Sequence, residues 1–196
     1  MNELSTLAVA MGASWASGIR LYACVATLGL LQHFKLTQLP GSLESLGHPW
    51  VIGVALFLFV GEFLADKVPV LDSGWDAVHT FIRIPAGVVL ASTAFAKYPP
   101  HMMVIAGLIG GTLALTSHAG KSTNRLVINH SPEPVSNWTH SAWNDVSGVG
   151  IAAMAPFFPM VTIGVVLVLF VITAFIFFKA LPLIKKTLSK ASKDKK

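Results

Sequence analysis

The stretch from Val161 to Phe178 most constrains the fold of this chain, because it is almost entirely apolar and carries no charged residue. A helix that crosses a membrane needs about 20 such residues, more than the core helix of a soluble domain usually shows. The whole chain agrees, since 54% of its residues are hydrophobic and only 12% are charged, against about 25% charged in soluble domains. Composition excludes a soluble enzyme and a disordered chain, and a single cysteine excludes a disulfide scaffold. It predicts an all-α, polytopic bundle of transmembrane helices.

Six apolar segments predict about six membrane helices, some of them short or broken. They lie at about residues 4–31, 49–65, 81–96, 102–116, 146–158 and 160–181. The four middle segments are short for a crossing, so each either extends into the polar residues beside it or stops partway and returns. We predict a transmembrane domain over residues 1–181 and a basic cytoplasmic tail over residues 182–196.

The placement of lysine and arginine predicts the orientation in the cell (inner) membrane. Residues 179–196 hold seven lysines and one acid, and lysines that closely follow a span mark the cytoplasmic side, where anionic lipids attract them. Six crossings then place the N-terminus in the cytoplasm too. The first residues lack the basic region of a signal peptide, so we expect the first segment to be retained. Because the basic charge is confined to the tail, it predicts no nucleic-acid partner.

A three-plus-three arrangement of segments would relate the two halves of the chain by inversion, as in many transporters. One pair of short motifs bears on this idea: Ser73-Gly-Trp-Asp-Ala-Val78 resembles Ser141-Ala-Trp-Asn-Asp-Val146. Their offset does not map the first segment onto the fourth. The pair is therefore either a trace of duplication or a coincidence, and an inverted repeat stays a hypothesis.

Arg20 is the first charged residue within the predicted membrane segments. Charged side chains inside membrane segments are costly and tend to be functional. Arg20 lies among glycine and serine, small residues that let helices approach closely or let a helix break. We expect it to face the bundle interior and to meet an acid or a bound anion. The alternative is a structural ion pair with Glu62 or Asp66.

The sharpest pattern is a run of polar residues after the second segment. Glu62 and Asp66 are four apart and share one helix face, and Pro69 then ends the helix. Helical spacing beyond Pro69 places four polar residues on one stripe: Asp72, Asp76, His79 and Arg83.

This stripe suits ion handling, because carboxylate oxygens bind hard cations and a carboxylate beside a histidine suits proton relay. Asp72 and Asp76 are the candidate metal ligands. The alternative is a solvated interfacial helix with internal ion pairs. The predicted substrate- or ion-binding residues are Glu62, Asp66, Asp72, Asp76 and His79.

A basic face follows the fourth segment, where His118, Lys121 and Arg125 recur at helical spacing. This face would pair with the acidic stripe, bind a phosphate or carboxylate, or face solvent. The predicted charge-balancing or anion-binding residues are Arg20, Arg83, Lys121 and Arg125.

Other polar and small residues carry weaker signals. Asp145 follows two tryptophans, which is typical of a membrane interface. Gly107 and Gly111 form a small-xxx-small pair, which suits helix packing and also a seam between two copies of the chain. The sequence has no zinc-binding HExxH motif, no Cys/His cluster and no GxSxG nucleophile motif. We therefore expect no cofactor and no enzymatic activity.

Four short motifs are spread over most of the chain. They are Ser17-Gly-Ile-Arg-Leu-Tyr22, Ala65-Asp-Lys-Val-Pro69 with Asp72, Trp75-Asp-Ala-Val-His-Thr-Phe81, and Asn129-x-Ser-Pro-Glu-Pro-x-Ser-Asn137. Together they resemble the family of small prokaryotic membrane proteins described as domain of unknown function 4126. The resemblance covers about residues 4–181 and implies an integral membrane protein without supplying an activity. Where the family tends to have Arg-Pro, this chain has Arg83-Ile-Pro85.

Transport or conduction of a small ion or solute is the leading functional hypothesis. The acids would bind a cation or carry protons, His79 would relay, and the basic residues would neutralise the acids in the empty site. One alternative is a lipid-phosphate-binding protein, in which Arg20, Lys121 and Arg125 bind the phosphate. Another is a structural or assembly subunit whose charges only pair helices. Expected partners are membrane lipids and the transported ion or solute.

Overall fold

The computed structural model contains six α-helices and one short 3-10 helix, with no strand among the residues it describes. It describes the backbone of residues 2–65, 69–128 and 134–193, and the side chains of residues 2–65, 78–124, 139 and 141–179. The helices are α1 (Glu3–His33), α2 (Pro49–Ala65), α3 (Pro69–Ala94), α4 (Pro100–Ile128), α5 (Pro134–Met154) and α6 (Pro159–Lys193), with the 3-10 helix Leu43–Gly47 before α2. The predicted all-α bundle is confirmed.

Proline begins every described α-helix after the first. The first residues of α2 to α6 are all prolines, which suits this position because the fixed φ fits a first turn and the missing N–H needs no partner there. The predicted helix break at Pro69 is confirmed. The helices α3, α4 and α5 extend beyond their apolar segments into the neighbouring polar residues, and α3 continues through Pro85.

The apolar helices and their outward faces are those of a membrane protein. By length and composition, three described helices are able to cross a membrane: Glu3–His33, Pro100–Asn124 and Pro159–Lys179. Pro49–Ala65 and Val78–Ala94 are shorter apolar helices. Large apolar side chains on α2 point away from the bundle, with Trp50 79% exposed and Phe57 77% exposed. Such a surface suits hydrocarbon rather than water.

α1 is a helical hairpin that turns at Arg20, although its length alone would suit one crossing. Arg20 has φ −145° and ψ 82°, outside the helical region. In a continuous helix, residues 13 and 24 would lie about 16 Å apart, yet Cys24 Sγ lies 3.5 Å from the Ala13 carbonyl oxygen. Residues 3–19 form the first arm of this hairpin and residues 21–33 form the second arm.

The first arm runs alongside α4 in the same direction. Ser117 Oγ donates to the Trp15 carbonyl over 2.8 Å, and one turn further along Lys121 Nζ donates to the Ile19 carbonyl over 3.3 Å. Carbonyls in the last turn of a helix lack intrahelical partners. Lys121 therefore helps to terminate the first arm at the turn, and Ser117 holds α4 against the turn before it.

The second arm returns to the end of the bundle where the first arm began, and α2 then runs antiparallel to it. Gly29 of the second arm lies against Ile52, near the start of α2, whereas Arg20 lies beside Glu62, near the end of α2. Thr6, at the start of the first arm, lines one pocket together with residues 38–41 and 97–98. Both ends of α1 thus lie at one end of the bundle.

This geometry bears on the predicted topology. The expectation of six crossings with both termini in the cytoplasm requires α1 to cross completely, whereas α1 turns back at Arg20. The five later helices alternate in direction. The start of α1 and the end of α6 therefore lie at opposite ends of the bundle.

α3 and α5 run in the same direction, from the level of Arg20 towards the start of the first arm. Ser14 of the first arm donates to the Gly87 carbonyl of α3, and Ala155, just after α5, lies against Gly12. The two similar motifs at residues 73–78 and 141–146 therefore belong to parallel helices. That pair does not support an inverted repeat.

Candidate functional site

The turn of α1 places Arg20 in the interior of the bundle, where it is fully buried. At about 1.5 Å per residue the first arm extends about 25 Å, most of the roughly 30 Å thickness of a bilayer core. Gly148 of α5 faces this turn, and a Cβ added there would lie 3.0 Å from Arg20 Cβ. The absence of a side chain at Gly148 lets α5 approach the turn closely.

Arg20 joins three helices through its guanidinium group. Its Nε lies 2.7 Å from Asp145 Oδ1, and its Nη2 donates to Ser141 Oγ over 2.9 Å. Its Nη1 lies 3.6 Å from Glu62 Oε1 on α2. The prediction that Arg20 meets an acid in the interior is confirmed. Asp145, expected at a membrane interface, is only 17% exposed and pairs with Arg20.

Glu62 lies between two guanidinium groups and is fully buried. Its Oε1 accepts a hydrogen bond from Arg83 Nη2 and also faces Arg20. Its Oε2 is buried and has no hydrogen-bond partner within the described part of the chain. A buried carboxylate normally has partners for both oxygens. One oxygen of Glu62 therefore interacts with both guanidinium groups, while the other oxygen is available to accept a hydrogen bond.

His118 of α4 holds Arg83 from the other side. Its Nδ1 lies 3.2 Å from Arg83 Nη1, and its Nε2 lies 2.7 Å from Thr80 Oγ1. Because a guanidinium group only donates hydrogen bonds, Nδ1 must be the acceptor, and the ring proton of a neutral His118 then lies on Nε2. The contact with Arg83 thus requires a neutral imidazole.

His79 extends this polar region towards the second arm of α1. Its Nε2 lies 3.1 Å from Tyr22 Oη, and the two rings meet edge to face. As the stripe predicted, His79 and Arg83 share the inward face of α3 and are buried, whereas Val78 and Phe81 are exposed. The solvated-helix alternative is therefore wrong for this part of the stripe.

Five of the predicted site residues come together around the turn of α1, namely Arg20, Glu62, His79, Arg83 and Lys121. Asp66 lies outside the described residues. The backbones of Asp72, Asp76 and Arg125 belong to α3 and α4, but their side chains also lie outside the described part.

No group of three or more His, Cys, Asp or Glu side chains suited to a metal ion occurs among the described residues. Metal binding at Asp72 and Asp76 thus stays a prediction.

Sequence reasoning missed Ser141 and Asp145 as partners of Arg20. A signal existed, since Ser141, Asp145 and Gly148 recur at i, i+4 and i+7 and therefore share one helix face. This face combines two polar groups with a residue that permits close approach. It is the face that α5 turns towards Arg20.

Comparison with known proteins gives one result. A family model described as domain of unknown function 4126 matches residues 7–179, a range that includes the predicted site residues. Neither a curated protein nor a solved structure matches the chain significantly.

Proposed function

Because this chain belongs to the domain of unknown function 4126 family, a description that names no activity, we propose a function from the geometry of its buried site. We propose that it is a membrane transporter for a small ion or solute, that Glu62 carries a coupled proton, and that no covalent chemistry is involved.

The observation that carries this proposal is the position of Glu62 Oε1 between the guanidinium groups of Arg20 and Arg83. Charges are rarely buried inside membrane segments unless they bind or relay something. The site also lies at a helix break, and broken helices at depth are typical of transporter binding sites. The second arm begins at this break, so its positive N-terminal end favours negative charge there.

The arrangement gives a mechanism for coupling. In the empty site the carboxylates of Glu62 and Asp145 balance the two guanidinium groups. A solute with a negative group would replace Glu62 at Arg20 and Arg83, since guanidinium groups bind oxyanions through paired hydrogen bonds. Glu62 would then take up a proton, because a third buried negative charge beside Glu62 and Asp145 would exceed the two guanidinium charges and is costly. Solute and proton would therefore bind together.

A cation would use other residues. The acids available for it are Asp66, Asp72 and Asp76, so cation binding remains a hypothesis about side chains outside the described part. Glu62 is less suited to a metal ion, because its Oε1 already faces two cations.

The orientation belongs to the same proposal. We place the lysine-rich end of α6 in the cytoplasm of a cell (inner) membrane and the start of α1 on the outer side. Lys35 and Lys97 then lie outside, while Arg83, Lys121 and Lys179 lie on the inner half. Membrane lipids are the surrounding partners.

The direct test measures proton movement into vesicles that contain the purified full chain and a trapped pH indicator. Small inorganic and organic anions are added in turn under an imposed membrane potential. We expect at least one anion to drive proton uptake, and Glu62→Gln to abolish that uptake. Glu44→Gln is the matched control, because Glu44 lies in an exposed ion pair with Lys97, and it should transport normally.

A second measurement does not depend on knowing the solute. Infrared difference spectra of the same vesicles, recorded during acidification, should show a protonated carboxyl signal that Glu62→Gln lacks and Glu44→Gln retains. If Glu62→Gln has the same carboxyl signals as the wild type until the protein unfolds, Glu62 is not the proton carrier and the proposal is wrong.

A further inference from the structure

A large apolar groove on the bilayer side of the protein lies beside the buried site. It has a volume of about 450 Å³ and lies between the second arm of α1 and α2. Its lining residues are Leu21, Tyr22, Val25, Trp50, Val51, Val54, Ala55 and Leu58.

The inner end of this groove meets the ion cluster. Leu58 is one helical turn before Glu62 on α2. Tyr22 is two residues after Arg20, and its hydroxyl group contacts His79 Nε2. From Trp50 to Leu58 the groove follows about 12 Å of helix. The apolar walls thus end about one helical turn from the ion cluster, whose members Arg20 and Glu62 are fully buried.

We infer that the transported solute is an amphiphile with an apolar chain and a phosphate head, which enters from the bilayer along this groove. The inference rests on the proposed function and names its substrate class. The chain would lie against α2, and the head would reach Arg20 and Arg83. A phosphate head has several acceptor oxygens, so it can engage both guanidinium groups, whereas Glu62 offers them one oxygen.

Proton binding at Glu62 depends on every charged or titratable group around it. Arg20 and Arg83 contact Glu62 directly. The others reach it through these two residues or by longer-range electrostatics. They are Tyr22 of α1, His79 of α3, His118 and Lys121 of α4, and Asp145 of α5. Glu62 is the carboxylate that both guanidinium groups share, so we assign the coupled proton to it.

The binding test uses the full chain in nanodiscs of zwitterionic phosphatidylcholine, with thermal unfolding as the readout. A ligand that binds only the folded state raises the melting temperature. Dodecyl phosphate should raise it by several degrees. Inorganic phosphate and dodecyltrimethylammonium at the same concentration should change it by less than a degree.

Groove variants test the path of the chain. Ala55→Leu fills the floor of the groove and should weaken dodecyl phosphate binding at least tenfold. Val60→Leu on the same helix is the matched control, since Val60 is exposed and does not line the groove, and its affinity should be unchanged. If Ala55→Leu does not fold, Val51→Phe makes the same test from the groove wall.

Proton uptake on binding tests the coupling. In weakly buffered solution, the wild type should take up about one more proton per dodecyl phosphate than Glu62→Gln does. Protons that dodecyl phosphate itself gains or loses contribute equally with both proteins, so they cancel in the difference. As pH rises, the affinity of the wild type for dodecyl phosphate should also fall. The fall should exceed that of Glu62→Gln by up to about tenfold per pH unit.

The outcomes separate this inference from the proposed function. Equal stabilisation by inorganic phosphate, or unchanged affinity in Ala55→Leu and Val51→Phe, would show that the apolar chain has no role and overturn the inference. Equal stabilisation by dodecyltrimethylammonium, or no binding of dodecyl phosphate, also overturns it. In each case a carboxyl signal from Glu62 and anion-driven proton uptake would leave the proposed function standing.

Discussion

At the scale of single residues, Glu62 and Arg83 form a pair whose members should be costly to remove one at a time. Both are fully buried, and breaking a buried ion pair leaves an uncompensated charge at a cost of about 3–5 kcal/mol. We expect Arg83→Leu to lower the free energy of unfolding by about this amount. Glu62→Leu should be at least as severe, because it removes a carboxylate from Arg20 as well. Unfolding in lipid bicelles measures both.

The double variant and an exposed pair provide the controls for this prediction. Because the two changes share one interaction, Glu62→Leu with Arg83→Leu should cost less than the sum of the single changes. Glu44 and Lys97 also form an ion pair, at 2.9 Å, but their side chains are 53% and 69% exposed. Leucine at either position should cost less than about 1 kcal/mol. Strictly additive costs at Glu62 and Arg83 would contradict the pairing.

At the scale of elements, the α1 hairpin depends on close contact between its first arm and α4. An added Cβ at Gly18 would overlap Ser117 Oγ and the Ala114 carbonyl. Gly18→Ala should therefore push the two helices apart and cost about 1–3 kcal/mol, the range seen for overpacked cores. Gly53 of α2 has open space around its Cα, so Gly53→Ala should be neutral or stabilising by up to about 1 kcal/mol.

Thermal unfolding of Gly18→Ala and Gly53→Ala in the same detergent tests this prediction. Equal melting temperatures for the two variants would mean that α1 and α4 do not pack as described. The comparison isolates packing because the same substitution raises helix propensity at both positions. A loss confined to Gly18→Ala can arise only from its surroundings.

Much of the architecture at this scale could be predicted from local sequence. Helical spacing placed His79 and Arg83 on one face of α3, and the apolar segments located α2 and α6, because both signals depend on neighbours within a few turns. The contact between Arg20 and Asp145 could not be predicted in this way. It needs the reversal of α1 at Arg20, which brings distant helices together. Small residues around Arg20 permit such a break but do not specify its angle.

At the scale of the whole molecule, the hairpin decides on which side of the membrane each end of the chain lies. A complete crossing by α1 would place the N-terminal and C-terminal ends together, whereas a hairpin followed by five crossings would separate them. The basic residues do not distinguish the two arrangements, since Lys35 and Lys97 fall on the side opposite the lysine-rich end of α6 in both.

Single-cysteine labelling tests this arrangement directly. In a Cys24→Ala background, one cysteine is introduced at Asn2, Ser45, Lys97 or Lys196, and intact cells are treated with a membrane-impermeant maleimide. We expect the first three positions to react from outside and Lys196→Cys to react only after the membrane is opened. Ser45 and Lys97 are the internal controls, because they flank α2 and α4 at the end of the bundle where α1 starts. If Asn2→Cys is protected together with Lys196→Cys while Ser45→Cys and Lys97→Cys react, α1 crosses the membrane completely. The path from the groove to Glu62 would then have to be built on a continuous first helix rather than on the break at Arg20.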